Sequence, residues 1–240
     1  MSPGRAAILA AALAVAGAAA PAREVPVVLL HTTDLHGRIV NVIPNGDDSP
    51  DAGLLRIATR IRGIRAVSPA AIHVDCGDTI QGTPESLATR GRIMIDALAR
   101  VGCNAWVPGN HEFDWGLDVL RGLVRDAPFP VLAANVGTRA GAAAALPGAV
   151  PWTVCEADGV RVALVGTTHP GIPGWLLPDY LGDAEIGSSL EAVRAVLPAV
   201  RAAKPDILVL LLHESAREEP DVGSPGDRKS TRLNSSHVSQ

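Results

Sequence analysis

The stretch Gly109-Asn110-His111-Glu112-Phe113-Asp114 decides how the rest of the chain is interpreted. It follows the apolar run 105–107 and precedes the amphipathic segment 117–127, so the pattern predicts a loop at the carboxyl end of a buried strand. Ligands of open α/β sheets collect at that edge. An amide, an imidazole and two carboxylates serve no obvious purpose in a core, because buried polar groups cost free energy unless each is paired. We therefore expect a functional site here.

Polar clusters also follow other apolar runs of the chain. The runs 25–32, 70–74 and 207–212 are typical of buried strands. They end, in turn, at Thr33-Asp34-Leu35-His36-Gly37-Arg38, at Asp75-Cys76-Gly77-Asp78 and at His213-Glu214. Apolar residues at helical spacing over 54–64 and 93–101 predict helices between the strands. This alternation predicts a largely parallel sheet that is covered on both faces.

The pattern changes in the second half of the chain. Apolar runs predict three more strands, at 130–134, 152–156 and 160–167. Asp158-Gly159 is a strong two-residue hairpin signal, so we expect antiparallel pairing on either side of it. The segment 188–203 predicts an amphipathic helix that Pro198 kinks or ends early.

The first 22 residues predict an export signal. They carry one charge, Arg5, followed by the apolar run 6–20 and by small residues that suit cleavage near Ala19 or Ala22. The run is too short and too rich in alanine for a convincing membrane anchor. We expect a secreted protein, most simply a bacterial periplasmic one, without a stable membrane anchor. The alternative is a helical N-terminal extension.

The composition argues against a nucleic-acid polymer as the partner. The formal net charge is -4 and becomes more negative when Arg5 and the basic C-terminal tail are set aside. A domain with this negative net charge is a poor general binder of nucleic acid. An anionic small-molecule substrate would need local positive charge, which metal ions could supply. The cysteines Cys76, Cys103 and Cys155 are odd in number and lie in apolar surroundings, which favours buried free thiols over disulfides.

The strand-ending clusters contain the ligand types of a metal site. They are Asp34 with His36, Asp78, Asn110 with His111, and His213. Mixed oxygen and imidazole ligands with one shareable carboxylate fit two borderline divalent cations, such as zinc, manganese or iron. Two such ions held about 3.5 to 4 Å apart can lower the pKa of a water that bridges them. They can also stabilise both the attacking and the leaving oxygen of an in-line displacement. The recurrence of the clusters therefore predicts hydrolysis of phosphate esters.

These blocks resemble those of the calcineurin-like metallophosphoesterases. The similar blocks are Asp34-x-His36, Gly77-Asp78, Gly109-Asn110-His111-Glu112 and His213. Three further stretches, 32–34, 82–86 and 110–114, are similar to the secreted branch of 5'-nucleotidases and UDP-sugar hydrolases, which also contains 2',3'-cyclic nucleotide phosphodiesterases. The resemblance covers roughly residues 25–213. It implies an α/β fold, a four-layer α/β/β/α sandwich with two sheets inside and helices outside.

The resemblance also implies a role for each residue of the blocks. Asp34 and His36 would bind the first metal ion, and Asn110 and His213 would bind the second. Asp78 would bridge the two ions. Asn110 would also contact the substrate.

Outside the ligand set, His111 would stabilise the transition state or protonate the leaving oxygen, oriented by Asp114. Arg38 could contact phosphate, although a solvated loop arginine is an equally good interpretation. For the remaining polar residues we expect supporting or structural roles; these are Asp75, Glu112, Glu214 and His169.

The chain departs from the family after His213. The Gly-His-x-His block that would supply one histidine to each metal ion is absent, as is the base-binding domain. Residues 227–237 resemble the translation of a sequencing-library adapter, so we expect authentic sequence to end near Gly226 and 227–240 to be disordered. A native disordered tail is the alternative. Residues 23–226 would then be a truncated catalytic domain, incomplete at its C-terminal side, with weakened metal binding and little activity.

Several functions fit these observations. The leading interpretation is hydrolysis of 5'-nucleotides or related nucleotides by metal-activated water. A 2',3'-cyclic nucleotide phosphodiesterase or another phosphodiester hydrolase is the runner-up, and a sulfur-ester hydrolase of related architecture is third. An alternative from another functional class is a non-catalytic metal-binding remnant, because the histidine ligands of the Gly-His-x-His block are missing. A serine hydrolase is excluded, because no Gly-x-Ser-x-Gly follows a strand.

Overall fold

The computed structural model describes residues 24–40, 53–138 and 144–214. The predicted export signal, 1–22, and the predicted adapter-derived tail, 227–240, lie outside these ranges and stay predictions. The described strands are β1 (Leu29–Thr32), β2 (Ile72–Asp75), β3 (Ala105–Trp106), β4 (Val136–Thr138), β5 (Trp152–Ala157), β6 (Val160–Thr167), β7 (Ala184–Ile186) and β8 (Ile207–Leu212). The described helices are α1 (Leu54–Val67), α2 (Pro84–Ala88), α3 (Arg92–Val101), α4 (Leu117–Asp126), α5 (Pro178–Leu181) and α6 (Ser189–Ala202).

The first sheet is parallel, in the order β1-β2-β3. Its strands are in register at Thr32 opposite Asp75 and at Asp75 opposite Trp106, so their carboxyl ends meet at one edge. Apolar residues of α1, α3 and α4 form one buried cluster with Trp106 on the outer face of this sheet. The helical spacing in the sequence predicted these helices, because each hides one apolar face.

The second sheet has the order β5-β6-β8, with β5 antiparallel and β8 parallel to β6. The hairpin between β5 and β6 turns at Asp158 and Gly159, whose φ angles are 51° and 85°. Two successive positive φ angles are what a tight hairpin turn requires. The structure therefore confirms the antiparallel pairing predicted at this point.

The two sheets pack against each other through a shared apolar cluster. Val74 of β2 and Val107, which directly follows β3, meet Leu164 and Leu211 of the second sheet. On the far side, Val200 of α6 packs with β6 residues. The layers are therefore helices, sheet, sheet and helix, which confirms the four-layer α/β/β/α sandwich. The first sheet is parallel and covered on both faces, as the alternation of strands and helices predicted. The alternation did not indicate that one of the two covers is a second sheet, because an apolar strand does not reveal whether a helix or another sheet covers it.

Some elements differ from their predicted form. Strand β1 begins at Leu29 rather than 25, and 130–134 forms only isolated bridges, from Val131 to Trp106 and from Leu132 to Val150. The short antiparallel pair β4-β7 was not predicted. Helix α6 continues past Pro198 to Ala202, so the predicted early end was wrong. Burial of Val200 just beyond the proline stabilises that last turn.

The three cysteine side chains are free thiols. Cys76 is buried in the cluster between the sheets, Cys103 is buried in the cluster between the first sheet and its helices, and Cys155 is half-buried. None of the helices in the described ranges combines the length and apolar character that a membrane crossing needs.

Candidate metal centre

The strand ends bring the predicted ligands to one edge of the sandwich. Within the first sheet, the Asp34 amide donates to Gly77 O at 2.9 Å and the His36 amide donates to Asp78 O at 2.8 Å. These bonds fasten the loop after β1 to the loop after β2. The second sheet joins them through His213, which directly follows β8 and lies beside the loop after β2.

Asp34, His36 and Asp78 form one group of metal-ligand atoms. One donor atom from each residue lies within 4.8 Å of the others. His36 Nδ1 is 3.2 Å from Gln81 O, and a carbonyl can only accept a hydrogen bond, so Nδ1 carries the proton. The lone pair is then on Nε2, which lies 3.9 Å from Asp34 Oδ1. A histidine fixed in this way by a backbone carbonyl is an ordinary arrangement for a metal ligand.

His213 and Asn110 form a second group with the same Asp78 carboxylate. His213 Nδ1 donates to Cys76 O at 2.6 Å, which directs Nε2 toward Asn110 Oδ1 at 3.1 Å and Asp78 Oδ1 at 3.4 Å. Burial opposes protonation of His213, but its hydrogen bond to Asp78 and the charges of Asp78 and Glu112 raise its pKa to about 9. An imidazole nitrogen and two oxygens around one point are a suitable donor set for a borderline divalent cation.

Three of the candidate ligands have left-handed backbone. The φ angles of Asp34, His36 and Asp78 are 53°, 47° and 52°. Residues other than glycine adopt this region rarely and at a cost of roughly 1 to 3 kcal/mol each. Strain of this kind persists only where the surroundings hold it, and it concentrates at functional sites. The backbone bonds between the two loops supply that restraint.

Two glycines permit the close approach of the loops. A Cβ at Gly109 would lie 2.4 Å from Asp78 Oδ1 and 2.7 Å from His213 Cε1. A Cβ at Gly77 would lie 2.3 Å from Gly109 N, and its φ of +91° also favours glycine. A larger residue at 109 would displace Asp78 or His213, and one at 77 would displace the backbone of Gly109.

Gly109→Ala is expected to lower divalent-metal affinity by about 10- to 100-fold, because the methyl group would push Asp78 and His213 apart. Equilibrium dialysis against Mn²⁺ measures the affinity, and circular dichroism checks that the variant is folded. Gly63→Ala is the matched control, since a Cβ there has no neighbour within 4 Å. A folded Gly109→Ala variant with unchanged Mn²⁺ affinity would contradict the close packing described here.

Glu112 holds the loops after β2 and β3 together. Its buried carboxylate accepts four backbone N–H bonds, from Asp78 at 2.8 Å, Thr79 at 2.7 Å, Ile80 at 3.2 Å and Gly109 at 2.5 Å. Burial, with the nearby charge of Asp78, raises the pKa of Glu112 to about 7. These contacts favour the supporting role expected for Glu112 from the sequence.

Asp75 is the centre of a second buried network. It accepts hydrogen bonds from Thr32 Oγ1 at 2.6 Å, Thr79 Oγ1 at 2.5 Å and Gly77 N at 3.1 Å. Complete burial raises the pKa of Asp75 to about 6. The network ties the end of β1 to the loop that carries Asp78. Thr32 lies in the block 32–34, but the sequence predicted no role for it, and Thr79 was not singled out. Neither a motif nor a periodicity reveals a hydrogen bond to a distant residue.

His111 lies beside the candidate ligands but is bonded elsewhere. Its Nδ1 donates to Asp114 Oδ2 at 2.7 Å, and its ring meets the His36 ring edge-on with centroids 5.3 Å apart. Its backbone amide donates to Asp78 Oδ1 at 2.9 Å. Burial lowers the pKa of His111, but the hydrogen bond to Asp114 and the charge of Asp78 outweigh it and raise the pKa overall. The hydrogen bond to Asp114 fixes the orientation of the imidazole, and the role of His111 as a proton donor stays a prediction.

The remaining predicted residues lie farther from this chemistry. Arg38 is exposed, and within the described ranges no hydrogen bond or ion pair joins its guanidinium to the candidate ligands. Glu214 accepts a hydrogen bond from Ser189 Oγ at the start of α6. Thr83, within the block 82–86, caps α2 and donates to Gly37 O at 2.9 Å. That block therefore supports the loop that follows His36.

Known proteins are similar to this chain in sequence and in fold. No protein-family profile matches the chain. Protein UshA of Yersinia enterocolitica is 31% identical over 238 residues, which cover 93% of this chain and 42% of that protein. The trifunctional nucleotide phosphoesterase protein YfkN of Bacillus subtilis is 29% identical over 216 residues, which cover 82% of this chain and 15% of that protein. The chain thus spans less than half the length of these curated relatives.

Solved structures agree with the sequence likeness. The crystal structure of the calcineurin-like phosphoesterase YfkN from Bacillus subtilis has a TM-score of 0.69 at 26% identity, over 82% of this chain and 64% of that one. This chain therefore belongs to the calcineurin-like phosphoesterases. Within them it is similar to the 5'-nucleotidase branch: a 5'-nucleotidase precursor from Thermus thermophilus has a TM-score of 0.67 at 26% identity, over 78% of this chain and 36% of that one.

Proposed function

We propose that this centre hydrolyses phosphate esters with two divalent metal ions. The observation that carries the proposal is the position of Asp78, whose carboxylate belongs both to the group with Asp34 and His36 and to the group with Asn110 and His213. When bound, two ions that share this carboxylate would neutralise the phosphate charge and activate a water. The oxygen and imidazole donors suit zinc, manganese or iron.

The residues of the chain then have separate tasks. The Asn110 amide and the His213 ring hold their positions on either side of the shared carboxylate. His111, whose Nδ1 is bonded to Asp114, holds a second proton on Nε2 below its raised pKa and can donate it to the leaving oxygen. Because that proton is lost as pH rises through the pKa, the contribution of His111 decreases on the alkaline side.

His111→Ala is expected to lower turnover by about 10²- to 10⁴-fold, the usual contribution of general acid catalysis, while metal content stays unchanged. Phosphate release and metal content are measured for each variant and for the unaltered protein. Because each variant is compared with the unaltered protein, a low absolute rate does not affect the result. Asp114→Asn is the companion variant: it keeps the imidazole but weakens its orientation, and we expect a smaller loss. Equal loss of metal content and turnover in His111→Ala would refute the assignment.

A nucleotide is the substrate class that we propose. The support comes from relatives whose names include 5'-nucleotidase, such as those of Vibrio cholerae and Rattus norvegicus. A cyclic phosphodiester is the second candidate, because a similar protein of Haemophilus influenzae is named a 2',3'-cyclic-nucleotide 2'-phosphodiesterase/3'-nucleotidase. Initial rates on 5'-AMP, 2',3'-cyclic AMP and UDP-glucose separate the candidates. Tight metal binding without phosphate release from any of them would favour a non-catalytic metal-binding protein.

We also propose that the protein is exported, with residues 1–22 as the signal. The proposal rests on the single charge, the apolar run and the small residues that end it. N-terminal sequencing of the protein recovered from the periplasm of a bacterial host tests it. A mature N-terminus near residue 20 or 23 is expected, and an intact Met1 on the recovered protein would overturn the proposal.

A further inference from the structure

The carboxylate of Asp34 is the candidate ligand that packing holds least. Asp78 is buried, and its Oδ1 accepts a hydrogen bond from the His111 amide. The ring of His36 is fixed by its hydrogen bond to Gln81 O. The Asp34 side chain, in contrast, is 53% exposed, so packing does not determine which way its two oxygens point.

The neighbouring hydroxyl of Thr33 supplies that restraint. It donates to Asp34 Oδ2 at 2.6 Å, which is the short distance typical of a hydrogen bond to a charged acceptor. Among the described residues, no other group donates a hydrogen bond to this carboxylate. Asp34 Oδ1 lies 3.9 Å from His36 Nε2, the nitrogen that carries the lone pair. One oxygen of Asp34 is therefore bonded to Thr33, and the other lies toward the neighbouring ligand.

The backbone keeps Thr33 and Asp34 in this arrangement. Thr33 directly follows β1, whose last residue, Thr32, donates its own hydroxyl to Asp75 Oδ2. Asp34 has the left-handed φ of 53°, and its amide donates to Gly77 O at 2.9 Å. Two adjacent threonines thus bond two different carboxylates, and the loop that carries the Thr33 bond is fastened to the loop after β2.

The number of oxygens that a carboxylate offers affects which ion it prefers. Ca²⁺ takes roughly six to eight oxygen ligands at about 2.3 to 2.6 Å in flexible geometry, and it accepts both oxygens of one carboxylate. Mn²⁺ is smaller and usually takes an octahedral set of ligands, which two oxygens of one carboxylate fit poorly. A carboxylate that offers one oxygen therefore favours Mn²⁺ over Ca²⁺.

We propose that Thr33 is a positioning residue that limits Asp34 to one ligand oxygen and thereby favours small divalent ions over Ca²⁺. The inference rests on the proposed function, because it takes the group of Asp34, His36 and Asp78 to bind a divalent ion. It assigns part of the metal preference to a residue that is not itself a ligand. Loss of the hydroxyl would release Oδ2, so that both oxygens of Asp34 become available to one ion.

The first test measures the Mn²⁺ and Ca²⁺ affinities of the 240-residue protein by equilibrium dialysis. Thr33→Val keeps the shape of the side chain and removes the hydroxyl. It is expected to lower the Mn²⁺ affinity about tenfold and to leave the Ca²⁺ affinity unchanged or higher, so that the ratio of the two affinities falls by roughly tenfold or more. Thr33→Ser retains the hydroxyl and should keep the original ratio.

Thr59→Val is the matched control, because Thr59 lies on helix α1 with its hydroxyl bonded to Leu55 O. It should change neither affinity. Circular dichroism checks that each variant is folded, and Thr33→Ala gives the same comparison if Thr33→Val is not. A general distortion of the loop would lower both affinities together. Equal losses for both ions in the variant without the hydroxyl, or an unchanged ratio, would therefore overturn the proposal.

The second test determines whether Thr33 acts through Asp34. In an Asp34→Asn background, Thr33→Val should lower the Mn²⁺ affinity by less than about twofold, because no carboxylate remains to be positioned. A further tenfold loss would show that Thr33 acts on another group, and it would overturn the proposal. Both tests measure bound metal rather than product. If the protein binds Mn²⁺ but releases phosphate from no substrate, the proposed hydrolysis fails and this inference is still decided, whereas no Mn²⁺ binding by the unaltered protein would refute both.

Discussion

Asp78→Asn is expected to reduce phosphate release by roughly a thousandfold and to lower the metal content of the protein. The side chain is 5% exposed, accepts a hydrogen bond from the His111 amide at 2.9 Å and lies 3.4 Å from His213 Nε2. Asparagine keeps the size of the side chain but removes the charge that both donor groups share. Loss of several kcal/mol of charge stabilisation corresponds to a change of this size.

The measurements are Mn²⁺ content by equilibrium dialysis and phosphate release under single-turnover conditions. Asp96→Asn is the matched control, because Asp96 lies on the outer helix α3 in an exposed ion pair with Arg92. It should change neither quantity. Normal metal content and normal phosphate release in Asp78→Asn would show that Asp78 is not a shared ligand.

Glu112→Ala is expected to reduce the free energy of unfolding by about 3 to 5 kcal/mol. The substitution leaves four backbone amides without their acceptor, in loops where the surrounding residues exclude water. Each unpaired buried amide costs about 1 to 3 kcal/mol, and local rearrangement recovers part of that cost. Urea denaturation followed by circular dichroism measures the change.

Glu112→Gln keeps the result interpretable if the alanine variant does not fold. Glutamine retains one acceptor oxygen but directs an NH₂ group at the other amides, so we expect an intermediate loss. Glu191→Ala, which removes an exposed ion pair with Arg194 on α6, should cost less than about 1 kcal/mol. A loss for Glu112→Ala no greater than that for Glu191→Ala would mean that the four bonds contribute little.

The sequence predicted best those features that depend on local spacing. The helix predicted over 93–101 is α3, which ends at Val101, and Gly102 closes it in the left-handed conformation with a φ of 78°. The turn at Asp158-Gly159 was predicted for the same reason, since few residue pairs adopt two positive φ angles. The meeting of Asp34, Asp78 and His213 at one edge followed from strand direction, because each residue comes at or just beyond the end of a parallel strand.

Features that depend on contacts between distant residues could not be predicted. Glu112 bonds to the amide of Asp78, which is 34 positions away, and nothing in the spacing of either residue reveals the contact. The division into two sheets was equally hidden, because Val74 would be apolar whether a helix or a sheet covered it. Only the resemblance to a known family implied the sandwich.

The two buried cysteines make the layers of this fold distinguishable to a chemical reagent. Burial raises the pKa of both thiols, so neither Cys76 nor Cys103 is a thiolate at neutral pH in the folded protein. An alkylating reagent can therefore react only during opening. Cys76 becomes reactive when the two sheets separate, whereas Cys103 does so when the helices leave the first sheet. The ratio of their alkylation rates would report which of the two interfaces opens first.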